Sequence, residues 1–211
     1  MTPAAAISII ISDYDSADPT DADNAALRVK YLRFLQHIYS YVWNIREWEW
    51  TYKEATVTIT AGNNYVALPT DFQSLGQQGS LYDQNGLQFV PKARYIVERL
   101  RRSGGSSTGI FAVWGGKIQL PYAVSATTVL TIFYRLRAET LADGSTEMTI
   151  PDRYAHTVII PGLVFRAQEK KQDARETWSQ QFNSGLSQMA AEENPSKFEN
   201  VRMPLMMRGG W

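Results

Sequence analysis

Apolar residues recur at helical spacing over residues 21–46 and again over 152–193, and between these stretches the period drops to two. In the first stretch Leu27, Tyr31, Phe34, Ile38, Tyr41 and Ile45 step by three or four residues. Thr20-Asp21 supplies a cap and an acidic first turn. Val29, Leu32, Leu35, Tyr39 and Val42 widen the stripe, which predicts a helix covered on two sides. The last helix opens at Ile150-Pro-Asp152, should kink at Pro161-Gly162, and continues through Leu163, Phe165, Ala167, Ala174, Trp178, Phe182, Leu186 and Met189. Asn194-Pro195 stops it. Near the start, Thr2-Pro3 followed by Ala4–Ile11 predicts a short buried helix over residues 3–14. That run has about half the length a membrane span needs and no basic leader, so neither a span nor a secretion signal is expected.

Strand signals fill residues 48–136. Thr56-Val-Thr-Ile-Thr60 alternates, Gly62-Asn-Asn64 turns the chain, and Tyr65-Val-Ala-Leu68 returns to Pro69. Asn85-Gly86 and Gly115-Gly116 predict tight hairpins, and Thr128–Tyr134 is the most strand-like run in the chain. Trp48 and Trp50 sit at strand spacing, which should aim both the same way and wedge the first strand onto the helix. Tyr95–Leu100 reads as a short helix and Ser103–Gly109 as a loop. The pattern predicts an α+β fold. A long-helix bundle with an inserted antiparallel sheet or small sandwich forms a single domain over residues 1–193, and an extended tail covers 194–211.

That tail is too apolar for a solvated terminus. Pro195 and Pro204 forbid a regular helix, yet Val201, Met203, Leu205, Met206, Met207 and Trp211 need cover. Met- and Trp-rich segments without a core of their own either dock in a partner's groove or fold back on their own body.

Charge changes the picture in two places. The formal net charge is zero, so no global field draws the chain to nucleic acid or an acidic membrane. Residues 13–23 nevertheless carry Asp13, Asp15, Asp18, Asp21 and Asp23 with no basic residue. Residues 92–102 carry Lys92, Arg94, Arg99, Arg101 and Arg102 against Glu98 alone. Either these are two solvated faces, or opposite patches meet head to tail across a subunit boundary.

Chemistry is thinly represented. The absence of cysteine excludes disulfides, thiolate metal sites and thiol nucleophiles, and fits a reducing cytoplasm. His37 and His156 lie in helical stretches without a ligand partner at metal spacing. No serine sits in a Gly-x-Ser-x-Gly elbow. The Gly104–Gly109 loop lacks the lysine and following helix of a phosphate cradle. Acidic pairs such as Glu47/Glu49 and Glu192/Glu193 read as surface. Together these argue against an enzyme and predict no cofactor and no metal. A sugar- or peptide-binding β-module using Trp48, Trp50 or Trp114 as a stacking platform is the alternative.

Several phrases, in order, resemble the head-to-tail adaptor proteins of tailed bacteriophages, including the tail-tubular adaptors of short-tailed phages. These are Trp48-Glu-Trp50 after a long helix, Tyr65-Val-Ala-Leu-Pro-Thr-Asp-Phe72, Val113-Trp-Gly-Gly-Lys-Ile-Gln-Leu-Pro121, a strand ending in Tyr134-Arg135, and Thr149-Ile-Pro-Asp-Arg-Tyr154. The match spans roughly residues 20–193. The Ile-rich N-terminus and the loop around 101–109 have no counterpart in it. The resemblance implies a structural virion protein at the neck, forming a homo-oligomeric ring, usually of twelve copies, below the portal protein at the capsid vertex. It also implies a central channel passing genomic DNA non-specifically, a β region facing the downstream tail or nozzle protein, and a C-terminal tail reaching the portal. Assembly would take place in the host cytoplasm, with no membrane involved.

Overall fold

The computed structural model describes residues 1–14, 24–77, 79–104, 109–144, 146–167 and 172–193. The fold is α+β, and the chain divides into two compact units: residues 1–46 with those from 140 onward, and Glu47–Glu139.

The first unit is helical. Helix α1 (Pro3–Tyr14) begins where Thr2 Oγ1 accepts the Ala5 N–H at 3.1 Å. It buries Ala6, Ile7, Ile10 and Ile11 against α2 (Ala25–Ile45) and α5 (Ile160–Ala167). Three of the four N-terminal isoleucines, Ile7, Ile10 and Ile11, are therefore core residues, and Ile9 is half-buried. In α2 the buried face is Tyr31, Leu35, Ile38, Tyr39, Val42 and Trp43. This stripe is rotated from the expected one: Tyr41 and Ile45 are exposed, and Phe34 is half-buried. Both periodicities were present, and burial of the large Tyr39 and Trp43 rings selected between them. Arg28 of α2 clamps Asp143 with two hydrogen bonds of 2.6 and 2.7 Å, and Gln36 accepts the Leu141 N–H at 2.6 Å. These ties hold the segment after residue 140 to the helix.

The C-terminal helical region is broken into pieces. A single turn, α4 (Asp152–Tyr154), passes into a π-helical segment, Ala155–Ile159, then α5, and finally α6 (Gln172–Glu193). The expected disturbance at Pro161-Gly162 takes this form for a local reason. Pro161 has no N–H to give to the carbonyl four residues back, so the helix widens and the Ile160 N–H reaches Ala155 O instead. α6 comes close to this segment at Gly185, where an added Cβ would lie 2.1 Å from Thr157 O. At Gly162 a Cβ would meet Phe182 at 2.8 Å and Ile38 at 2.9 Å, so α2, α5 and α6 converge there.

The second unit is one eight-stranded, nearly closed sheet. Its strands are β1 (Tyr52–Ile59), β2 (Tyr65–Ala67), β3 (Phe72–Ser74), β4 (Ser80–Asp83), β5 (Gln88–Pro91), β6 (Ile110–Trp114), β7 (Lys117–Gln119) and β8 (Thr128–Leu136). The order is β1-β8-β4-β5-β6-β7-β2, with β3 also on β8. All pairs are antiparallel except β5–β6, which the helix α3 (Arg94–Arg102) connects. Val57, Ile59, Leu81, Phe89, Phe111, Ile118, Leu130, Ile132 and Tyr134 point inward at alternate positions and form its core. The hairpins at Asn85-Gly86 and Gly115-Gly116 both form. The expected return of β2 along β1 does not, because β2 pairs with β7, Tyr65 opposite Gln119. Trp48 and Trp50 do not share a strand face either. Glu49–Thr51 is a 3-10 turn, with Trp48 buried before it and Trp50 half-buried within it.

Asp71 of the Leu-Pro-Thr-Asp-Phe phrase ties strands together. It accepts the Tyr134 hydroxyl at 2.6 Å and Lys53 Nζ at 2.8 Å, and its own carbonyl takes the Arg137 N–H at 2.8 Å. The phrase is thus a structural brace between β1 and β8. Burial, then the bond to Asp71, raises the Tyr134 phenol above its ordinary range.

Candidate functional site

Two surfaces stand out, one in each unit. The first is the outer face of α3. Val97 anchors the helix in the core, and Arg99, Arg101 and Arg102 suit the negative end of its dipole. Arg94 lies at 0°, Glu98 at about 40°, Arg102 at about 80°, Tyr95 at about 100° and Arg99 at about 140° around an ideal helix, so they share one face. They line a shallow depression of about 410 Å³. The Arg94 guanidinium sits 3.6 Å above the ring of Trp114, which is 54% exposed. On the neighbouring strands Lys117 Nζ lies 4.3 Å over the ring of Tyr65. Tyr95 is 70% exposed. Glu98 is engaged by Arg101 at 3.0 Å and Gln119 at 3.2 Å, and these bonds hold its carboxyl below the usual carboxylate range.

The second surface is the end of α6, from which the C-terminal segment departs. The Tyr154 hydroxyl is 3.0 Å from both the Glu192 and Glu193 carboxylates. Arg153 pairs with Glu193 at 3.0 Å and with Glu192 at 3.7 Å, and lies 4.5 Å over the Tyr154 ring. The last turn of α6 holds two acids and no basic residue, which opposes the helix dipole. Its counter-charge arrives from α4. Burial, then the two carboxylates, push the Tyr154 phenol above its ordinary range. The chain's first residue joins the same corner, the Met1 ammonium pairing with Asp152.

The predicted interface arginines, Arg94, Arg99, Arg101 and Arg102, are brought together on α3. Asp13 is exposed on the last turn of α1, whereas Asp15 and Asp18 lie outside the described residues. So do Val201, Met203, Leu205, Met206, Met207 and Trp211. The stacking platform is not assembled: Trp48 is buried, Trp50 is half-buried, and a cation already covers Trp114. Sequence reasoning missed the Arg94–Trp114 and Tyr154–Glu192/Glu193 contacts, which join positions 20 and 38 or 39 residues apart with no local signal. Among the described residues, no three His, Asp or Glu side chains gather as a metal site, and no helix is long and apolar enough to cross a membrane.

A mixed α+β chain with charged, aromatic outer surfaces and a carboxylate-pinned helix end fits a protein built to hold other proteins. A family model described as SU10 adaptor protein matches residues 4–204, nearly the whole length, and the chain belongs to that family. It is a head-to-tail adaptor, a structural protein of the bacteriophage virion rather than an enzyme, and works with portal and tail components in an oligomeric assembly. No curated protein matches the chain. The match includes the N-terminal helix, which the motif resemblance had not reached, and continues beyond α6 into the C-terminal segment.

Proposed function

We propose that this adaptor closes into a homo-oligomeric ring, a dodecamer by family resemblance, between the portal and the downstream tail or nozzle protein at the virion neck. The ring leaves a central channel through which genomic DNA passes without sequence-specific contacts. Residues 194–211 reach out from each copy, and Val201, Met203, Leu205, Met206, Met207 and Trp211 dock on the portal. Asp13, Asp15 and Asp18 of one copy meet Arg94, Arg99, Arg101 and Arg102 of the next. Assembly takes place in the host cytoplasm.

The observation that carries this reading is the extent of the family match, which runs past the end of α6 at Glu193 as far as Pro204. The first part of the tail therefore belongs to the shared adaptor sequence. Eighteen residues extend at most ~60 Å at ~3.3 Å each, enough to cross from one ring to another. A single tail loses conformational entropy on docking and binds weakly. Identical tails on one ring act together, because each later docking event is intramolecular. Tight assembly then awaits a completed portal, which keeps the apolar tails from gathering early.

Truncation after Glu193 tests the reading. The shortened protein should fold as the full chain does and fail to attach to purified portal rings. Attachment with undiminished affinity would remove the tail from the mechanism.

A further inference from the structure

We infer that the outer face of α3, with the Trp114-stacked Arg94 at its edge, is a socket for carboxylates of the acidic 13–23 segment of a second copy. This rests on the ring reading and gives its subunit contact a definite chemistry.

The face has the composition of an interface rather than of a solvated helix. Arg, Trp and Tyr are the residue types that dominate binding energy at protein contacts, and here all three are exposed side by side. Stacking on Trp114 fixes the Arg94 plane while leaving its edge donors available, so less entropy is lost when a carboxylate is clamped. The face contains one acid, Glu98, and Arg101 and Gln119 already engage it. Among the described residues Arg99 and Arg102 have no ion-pair partner. The socket thus presents positive charge with its internal acid satisfied.

Three anionic or polar ligands could suit such a face, and the rings discriminate among them. A nucleic acid base or a sugar needs an open aromatic surface for stacking. Both half-exposed rings of the sheet already hold a cation, Arg94 on Trp114 and Lys117 on Tyr65. What remains is guanidinium edge beside the exposed ring of Tyr95, which suits carboxylates better than a run of stacked bases or a sugar held between rings. The same chain supplies them: five aspartates and no basic residue over 13–23, in a protein of zero net charge. The stretch from Asp13 to Asp18 spans up to ~17 Å, and Arg94 and Arg102 stand ~12 Å apart along α3. A contact between different patches on successive copies is heterologous, the type that closes a ring.

Two variants test this: R99E/R102E, which reverses the socket, and D15K/D18K, which reverses the acidic segment. Circular dichroism of each establishes that it is folded. Association is then read by sedimentation at low ionic strength, and ring formation by electron microscopy on portal rings. Each variant alone should lose ring-sized species at least about tenfold, since like charges now face each other. An equimolar mixture should recover them, because each variant carries the patch the other needs. Ring formation by both single variants at the wild-type level would overturn the inference. So would recovery only when all four reversals share one chain, because the contact would then lie within a copy. So would loss of DNA retention by R99E/R102E with rings intact, which would make the face a phosphate site. Wild-type protein that never joins portals would defeat the adaptor reading instead, while co-sedimentation of the mixed variants would still report on the socket.

Discussion

Alanine at Gly185 would drive a methyl carbon into the backbone of the facing segment. The new Cβ would lie 2.1 Å from Thr157 O, 3.0 Å from Thr157 C and 3.2 Å from Val158 Cγ2. An ordinary contact begins near 3.4 Å, so α6 must retreat by more than about 1 Å, and a backbone carbonyl cannot swing aside as a side chain can. Two effects compete. Alanine favours the helix interior by about 1 kcal/mol over glycine. Overpacking costs about 1–3 kcal/mol, and a rigid neighbour puts this site at the upper end. The net expectation is a loss of about 2 kcal/mol, a fall in Tm of about 4–8 °C for a chain of this length. Urea unfolding followed by tryptophan fluorescence and circular dichroism measures it. Gly144→Ala, where a Cβ meets nothing within 4 Å, serves as the control and should change little. A Gly185→Ala protein as stable as wild type, or more stable by the propensity gain, would refute the close crossing of α6 over the π-helical segment.

Asp71 predicts a pH signature. Lys53, then Tyr134, hold its carboxyl below the ordinary value of 3.8. A carboxylate depressed by folding contributes stability that is fully present above its unfolded pKa and is lost as pH falls through the folded one. The stability gap between wild type and Asp71→Asn should therefore be greatest above about pH 5 and close steadily below about pH 4; a gap independent of pH would contradict the brace. Gly116, with φ of 72°, sits in the β6–β7 turn, so Gly116→Ala should cost about 1–2 kcal/mol in denaturant titrations and Gly116→Asn less. Removing the Tyr154 hydroxyl by Tyr154→Phe leaves Glu193 with Arg153, and Glu192 with Arg153 and Gln188, and amide exchange over residues 190–193 should accelerate several-fold while that of α2 is unchanged. Equal exchange at the end of α6 would show that the tyrosine does not pin it.

Local features were legible in the sequence and distant ones were not. Asn85-Gly86 and Gly115-Gly116 announce hairpins because a turn of two or three residues is encoded by the residues inside it. The partner of β2 lies some fifty residues away in β7, and no turn signal reports such a pairing. The period of α2 was plain, but its buried face was not, since apolar residues surround the helix and only packing decides which are covered. Pro161 signalled a disturbed helix, whereas its π-helical form was not legible, because a missing N–H is also met by a kink. The arginine cluster was visible as charge; its stacking on Trp114 required the fold to bring β6 beside α3. Tail residues 201–211 fall outside the described residues, so the sequence remains the source of their assignment.

Cryo-electron microscopy of the assembled neck is the decisive measurement for the docking tail. A closed ring of adaptor copies under the portal is expected, with the Met203–Trp211 segment of each copy seated in a portal groove. A complete ring in which residues 201–211 fold onto their own copy, or leave no ordered trace against the portal, would contradict it.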